Sequence, residues 1–239
     1  MRLAIITCAG WKGASSEFPD IEPGVPESLL PLGNGDTLLS RQARQLRELD
    51  FMVFAAIGQP GSTFPWWGQH QSKHRHITVE GAQEGIVESP WTWPRVAYVA
   101  KHAIPLFVPD PDGISRHGTN CLAIEALGCW GWDQLLLTGG DHLNTTELLQ
   151  EIVSMPCPCQ VILAGHVWFW LTPESARLYR DLTPRYRGAR IWYRQDCLAA
   201  KLFAGVVPQF RMTGYGEQFV DVDGAVDYRN ALQWFQERG

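Results

Sequence analysis

The sequence predicts a single-domain α/β fold, a mostly parallel sheet with helices on both faces. Three observations predict it. Short runs such as Leu3–Thr7 and Gln134–Thr138 are almost wholly apolar, the pattern of strands buried on both faces. Segments with helical spacing alternate with these runs along the chain, the order that builds a parallel sheet covered by helices. The length of 239 residues suits one large α/β domain spanning 1–239, and no Pro/Gly/Ser linker or charge run divides it.

Each element has its own signal. Leu3 to Thr7 is the first strand, ending in Ala9-Gly10. A long loop rich in Gly, Pro and Ser follows to Gly35, and loops of that length are usually functional or disordered. Leu38, Leu39, Ala43, Leu46 and Leu49 recur at helical spacing, with Arg41, Arg44 and Arg47 on other faces. Phe51 to Ile57 is the next strand, stopped by Gly58-Gln59-Pro60-Gly61, which completes a βαβ unit. Residues 59–95 are aromatic-rich and read as an irregular insertion or lid, with only His76 to Val79 resembling a strand. Thr119 to Leu127 reads as a helix and Gln134 to Thr138 as a strand ending at Gly139-Gly140-Asp141-His142. Thr145 and Thr146 carry hydroxyls suited to capping the helix after it. Val161 to Ala164 and Val167 to Leu171 read as strands, Pro173 to Tyr179 as a helix, and Arg190 to Tyr193 as a short strand. Cys197 to Phe203 reads as a helix, Val206 to Phe210 and Phe219 to Val222 as strands, and Val226 to Phe235 as the closing helix.

Composition narrows the function. The formal net charge is −5 and charged residues make up 19%, which argues against a nucleic-acid surface built on clustered Lys and Arg. No apolar run reaches the roughly 20 residues of a membrane span. The opening apolar stretch is too short for a signal peptide, and Gly10-Trp11-Lys12-Gly13 is no cleavage site, so a cytoplasmic location is expected. The six cysteines read as reduced thiols, since a chain of this size without an export signal needs no disulfides.

Ligands in open α/β sheets sit at the carboxyl ends of strands. Three features lie there. Gly10 and Gly13 have no Cβ to keep a phosphate from the backbone, although a simple glycine turn looks the same. Asp141, after two glycines at a strand end, suits a carboxylate placed for a hard cation, or an acid at a helix N-terminus. Asp221 and Asp223 are two residues apart, so in a strand both carboxylates share a face, or end it as solvated acids.

The order of these segments resembles the nucleotidyltransferase superfamily with the glycosyltransferase-A-type fold. Ala4-Ile5-Ile6-Thr7-Cys8-Ala9-Gly10 is similar to its opening strand, and Pro26-Glu27-Ser28-Leu29 to its Pro-Lys-x-Leu. His117-Gly118-Thr119-Asn120-Cys121-Leu122-Ala123 resembles its base-recognition segment. Leu137-Thr138-Gly139-Gly140-Asp141 resembles the strand whose Asp binds metal. Phe219-Val220-Asp221-Val222-Asp223-Gly224 resembles the closing Asp-Ile-Asp segment. The resemblance implies a nucleotide-diphospho-sugar-transferase-like fold, with Asp141 and Asp223 holding Mg²⁺, Mn²⁺ being the other candidate. It places Ala9, Gly10 and a catalytic Lys12 against the nucleotide, and Gly118, Thr119 and Asn120 near its base or ribose. Asp196, Lys201 and Asp221 are the candidates on the acceptor side, with Asp221 also placed to orient the metal's surroundings.

The triphosphate signature is degenerate. Glu27 stands where the family has Lys, and the first loop, Trp11-Lys12-Gly13-Ala14, lacks the family's Arg. Both missing cations contact phosphates, and a carboxylate there adds repulsion. Three functions are therefore in play. The first joins a nucleoside triphosphate, CTP by resemblance to phosphocholine-type members, to a small phosphorylated acceptor. The second is a glycosyltransferase using a nucleotide sugar, and the third a non-catalytic binding protein.

Other signals point to structure. His70, His74 and His76 have no Cys or acid at ligand spacing and read as a polar loop. Asp110-Pro111-Asp112-Gly113 reads as a turn. The eleven tryptophans, with Trp91/Trp93 and Trp168/Trp170 at strand period, read as core or subunit-interface packing, which leaves a homo-oligomer open.

Overall fold

The structure, a computed structural model, describes residues 1–8, 21, 24–66, 85–108, 116–128, 130–182, 200–222 and 224–238, with the backbone alone for 63–66 and 85–88. β1 (Arg2–Thr7) is followed by a 3-10 turn at Glu27–Leu29, α1 (Leu38–Glu48) and β2 (Met52–Gly58). β3 (Thr63–Trp66) and β4 (Gly85–Glu88) pair with each other in antiparallel fashion. α2 (Trp93–His102), β5 (Ile104–Val108) and α3 (Arg116–Ala126) lead to β6 (Gln134–Gly139) and β7 (His142–Asn144). Next come α4 (Thr146–Ser154), β8 (Cys159–Leu163), β9 (His166–Leu171) and α5 (Pro173–Asp181). β10 (Gln209–Arg211), β11 (Phe219–Asp221) and α6 (Ala225–Arg238) close the chain.

Among the described residues, seven strands form one sheet in the order β10-β8-β9-β6-β1-β2-β5. Every pairing is parallel except those of β9, which runs against β6 and β8. The exception has a local cause. Only Ala164 and Gly165 join β8 to β9, both with positive φ (50° and 89°), and a two-residue turn admits only an antiparallel hairpin.

The sheet is covered on both faces, as the apolar strands require. Along β1, Ala4 and Ile6 pack with Leu39, Ala43 and Leu46 of α1, Val99 of α2 and Leu149 of α4. Leu3 and Ile5 pack on the opposite side with Ala123 and Ile124 of α3 and Tyr179 of α5. Each fully buried Leu or Ile contributes about 1.5–3 kcal/mol. A third cluster holds α6 on the molecule, where Tyr228, Ala231 and Trp234 meet Leu30, Leu38, Leu143 and Val222.

Several expectations are corrected. The segment 59–95, read as irregular, contains β3, β4 and the start of α2. Thr92 in an extended conformation followed by Trp93-Pro94 is a helix start, because proline fits a first turn whose N–H groups are unbonded anyway. Trp91 and Trp93 therefore share no strand face: Trp91 is buried and Trp93 is 68% exposed. Trp168 and Trp170 do share one, both buried on the same side of β9. α3 starts three residues earlier than expected, at Arg116. The strand expected at Val206–Phe210 is β10 at Gln209–Arg211. β11 is not part of the large sheet but pairs with β7. The strands expected at His76–Val79 and Arg190–Tyr193 lie outside the described residues.

Candidate functional site

The carboxyl ends of β1 and β6 lie side by side. Thr7 is in register with Gly139, and the Gly140 N–H donates to the Thr7 carbonyl at 2.9 Å. Helix α1 fixes this edge from the Ala4/Ile6 side of the sheet. Its start is set by a reciprocal cap between Thr37 and Ser40. Its buried Gln42 donates to Thr138 Oγ1 at 3.0 Å, and Gln45 donates to the Asn144 carbonyl at 3.0 Å. A pocket opens where the strands end, lined by Thr7, Cys8, Glu27, Ser28, Gly140 and Asp141.

The two glycines are needed for close approach. A Cβ on Gly140 would lie 2.7 Å from Cys8 Sγ and 3.0 Å from the Thr7 carbonyl oxygen. One on Gly139 would strike Asp141, Arg116 and His142. Backbone can therefore reach the pocket floor only without side chains.

Asp141 is gripped by Arg116, whose Nη2 donates to both carboxylate oxygens at 3.0 Å. Arg116 Nη1 lies 3.5 Å from His142 Nε2, which lies 3.4 Å from Asp141 Oδ1. Burial pushes the Asp141 carboxyl up, but the Arg116 guanidinium outweighs it and holds it below the usual carboxylate range. Asp141 is thus an ionised carboxylate in the pocket wall. Burial also pushes His142 down to about 3, with Asp141 opposing the shift, so its ring is neutral at pH 7. Burial drives the Cys8 thiol up to about 12, partly offset by Ser28, and removes it as a nucleophile.

β11 brings a second group of side chains to the same place. The Val222 N–H donates to the Asp141 carbonyl at 3.0 Å, and Asp221 is in register with His142. The Asp221 carboxylate faces two imidazoles, at 3.7 Å from His142 Nε2 and 3.5 Å from His166 Nε2.

Of the residues expected at the site, Asp141 lines the pocket and Asp221 lies beyond His142. Gly118 and Thr119 are half-buried in the first turns of α3. Asn120 is buried, accepting from Thr7 Oγ1 at 2.5 Å and donating to Tyr179 Oη at 3.2 Å, so it ties the end of β1 to α5. Lys201 is exposed on a helical turn at 200–203 and does not line the pocket. Ala9, Gly10, Lys12, Asp196 and Asp223 lie outside the described residues. Arg116, His142 and His166 were not anticipated. Arg116 lies ahead of the helix start read at Thr119, so its place in the first turn of α3 gave no signal in the chain. The two histidines had none either, because their meeting depends on β7, β9 and β11 coming together.

No protein-family model matches the chain. No curated protein sequence matches it either. Solved structures do. A proposed glucose-1-phosphate thymidylyltransferase from Bacillus anthracis superposes with a TM-score of 0.64 at 11% identity, covering 100% of this chain and 97% of that one. The CTP:phosphocholine cytidylyltransferase of Streptococcus pneumoniae gives 0.62 at 13% identity, covering 97% and 98%. The inositol-1-phosphate CTP transferase of T. maritima gives 0.56 at 10% identity, covering 100% and 97%. At these identities the likeness establishes a shared fold over the whole chain.

Proposed function

We propose that the chain is a nucleotidyltransferase. It moves a nucleoside monophosphate, with CTP the favoured donor, onto a phosphorylated sugar, alcohol or similar small acceptor and releases pyrophosphate. The observation that supports this best is Asp141, an ionised carboxylate in a pocket at the joined ends of β1 and β6. The fold is shared with two CTP-dependent transferases and with a thymidylyltransferase, so the preference for CTP rests on the sequence resemblance to phosphocholine-type members.

In this reading an acceptor phosphate oxygen attacks the α-phosphorus in line, and the bond to pyrophosphate breaks. Positioning and charge stabilisation suffice, with no covalent intermediate on the protein. The Gly139-Gly140 backbone allows close approach at the pocket floor. Arg116, clamped on Asp141, adds a fixed positive charge beside a pocket whose wall carries Glu27 instead of a lysine. Asp141 retains donor capacity for Mg²⁺. Arg116 takes one acceptor site on each Asp141 oxygen, and a carboxylate offers about four in all. Mg²⁺ needs only one or two carboxylates besides water and phosphate oxygens. Asp141 and Asp223 would hold it, and it would supply positive charge to the triphosphate and the leaving pyrophosphate.

Glu27 on the pocket wall also favours a second reading, a glycosyltransferase using a nucleotide sugar, whose donor carries fewer phosphates. A thermal-shift screen separates the two. CTP, UTP, GTP, ATP and their diphosphates are tested with Mg²⁺ or Mn²⁺ on the wild type and Asp141→Ala. A triphosphate at 100 times its Kd stabilises by about 2.7 kcal/mol, or roughly 5–10 °C for a chain of this size. Stabilisation by a triphosphate with Mg²⁺ that is lost in Asp141→Ala, together with pyrophosphate release on adding acceptor, supports the transferase. A larger shift with a diphosphate and Mn²⁺ supports the glycosyltransferase. No shift with any nucleotide refutes both and leaves a non-catalytic binding protein.

A further inference from the structure

Beyond the Asp141 pocket, three donors from three separate elements converge. His142 comes from β7, His166 from the start of β9 and Asp221 from the end of β11. One ligand atom from each lies within 4.8 Å of the other two. We propose that these residues bind a transition-metal dication of the zinc class, at a site separate from the Mg²⁺ position and independent of nucleotide.

The spacing supports an ion. The imidazole-to-carboxylate distances of 3.5 and 3.7 Å exceed the 2.7–3.2 Å of a good N–H···O hydrogen bond. Ligands about 2.05 Å from a tetrahedral zinc lie about 3.4 Å from one another, so the two imidazole-to-carboxylate edges need only a small contraction, and the histidine-to-histidine edge, within 4.8 Å, closes further on the ion. Two His nitrogens and one carboxylate form a known three-ligand zinc set, leaving the fourth position for water. Imidazole donors select zinc, cobalt, nickel or copper over Mg²⁺, which prefers six oxygens.

The surroundings also suit such a site. The rings are walled by Trp168 and Phe219, with centroids 5.3 and 5.0 Å from His142 and that of Phe219 4.9 Å from His166. This apolar wall keeps the donors in place and limits competing water. His142 is fully buried, whereas the His166 side chain is 25% exposed, which gives an ion a way in. Among the described residues, the nearby carboxylates of Asp141 and Asp221 outnumber the Arg116 guanidinium, so the cluster favours added positive charge. An ion here would staple the small β7–β11 sheet to β9 of the main sheet.

The test uses the full chain, stripped of metal and titrated with Co²⁺ in the absence of nucleotide. The expected result is one Co²⁺ per chain, with the visible bands of tetrahedral N/O ligation and stoichiometric displacement by Zn²⁺. His166→Ala, at a partly exposed position, and Asp221→Asn, which keeps the side-chain shape, should each weaken binding at least about 100-fold. Circular dichroism confirms that both variants fold. The proposal is overturned by the absence of saturable binding. Binding that survives both substitutions also overturns it, as do near-ultraviolet thiolate-to-cobalt bands, which would put the ion on cysteines. The readout needs no nucleotide, so this outcome and that of the nucleotidyltransferase reading can fail separately.

Discussion

Arg116→Met should destabilise the protein through Asp141 specifically. Two charge-assisted hydrogen bonds of 3.0 Å join the pair, and the side chains are 31% and 18% exposed. Fully exposed pairs contribute about 0–1 kcal/mol, while breaking a buried pair costs about 3–5 kcal/mol. The intermediate exposure puts the loss at about 2 kcal/mol, or roughly 4–8 °C in Tm. Methionine keeps much of the packing, so most of the loss comes from the stranded carboxylate. Asp141→Asn should cost a similar amount, and the double variant less than the sum, with a coupling of about 1–2 kcal/mol. The pH dependence gives an independent check. In the wild type the Asp141 pKa is depressed, so the stability from this pair is present above the unfolded carboxyl value near 3.8 and is lost as pH falls through the lower folded value. Without Arg116, burial dominates and the carboxyl is raised, so the cost of Arg116→Met should shrink between pH 7 and pH 4 as Asp141 takes up a proton. Urea unfolding of the four proteins of the cycle at both pH values measures this. Additive single substitutions, or a cost that does not change with pH, would refute the reasoning.

Three further outcomes are expected. Gly140→Ala places a methyl against Cys8 Sγ and the Thr7 carbonyl, so it should cost about 1–3 kcal/mol by overpacking and reduce any nucleotide-induced thermal shift. Burial pushes His117 down to about 4, so the stability it affects is full above the unfolded value near 6.5 and falls as pH drops towards 4. His117→Phe should flatten the slope of unfolding free energy over that window by about 1.4 kcal/mol per pH unit, read by urea titration at successive pH values. Thr172→Ala removes the reciprocal cap between Thr172 and Ser175 at the start of α5 and should lower stability by about 1 kcal/mol, measured by the shift in urea midpoint.

The strands and helices with strong local patterns were legible in the chain. β1, α1, β2 and β6 lie within a residue or so of where their apolar spacing puts them, because a central strand buried on both faces leaves little choice of side chain. The Thr145 cap of α4 was legible for a similar reason: a hydroxyl before an apolar repeat has few other uses. α2 and β5 were missed, because Trp91-Thr92-Trp93 has strand period and β5 is half-exposed at the sheet edge, where the apolar pattern weakens. Asp141 stood out as a strand-end acid after two glycines. Its partner did not, because Arg116 is 25 residues away and only the packing of α3 across β1 and β5 brings it to the end of β6.

The sequence by itself determined the α/β class, the central strands, the strongly amphipathic helices such as α1 and the strand-end position of Asp141, since these follow from local periodicity and from which residues tolerate burial. Only the tertiary structure decided that β9 runs antiparallel, that β11 leaves the main sheet to pair with β7, that Asn120 braces β1 against α5, and that Arg116 clamps Asp141. It also decided that His142, His166 and Asp221 bring ligand atoms within 4.8 Å of one another. Each of these depends on pairings between residues distant in the chain, and periodicity carries no information about which distant residue a side chain will meet.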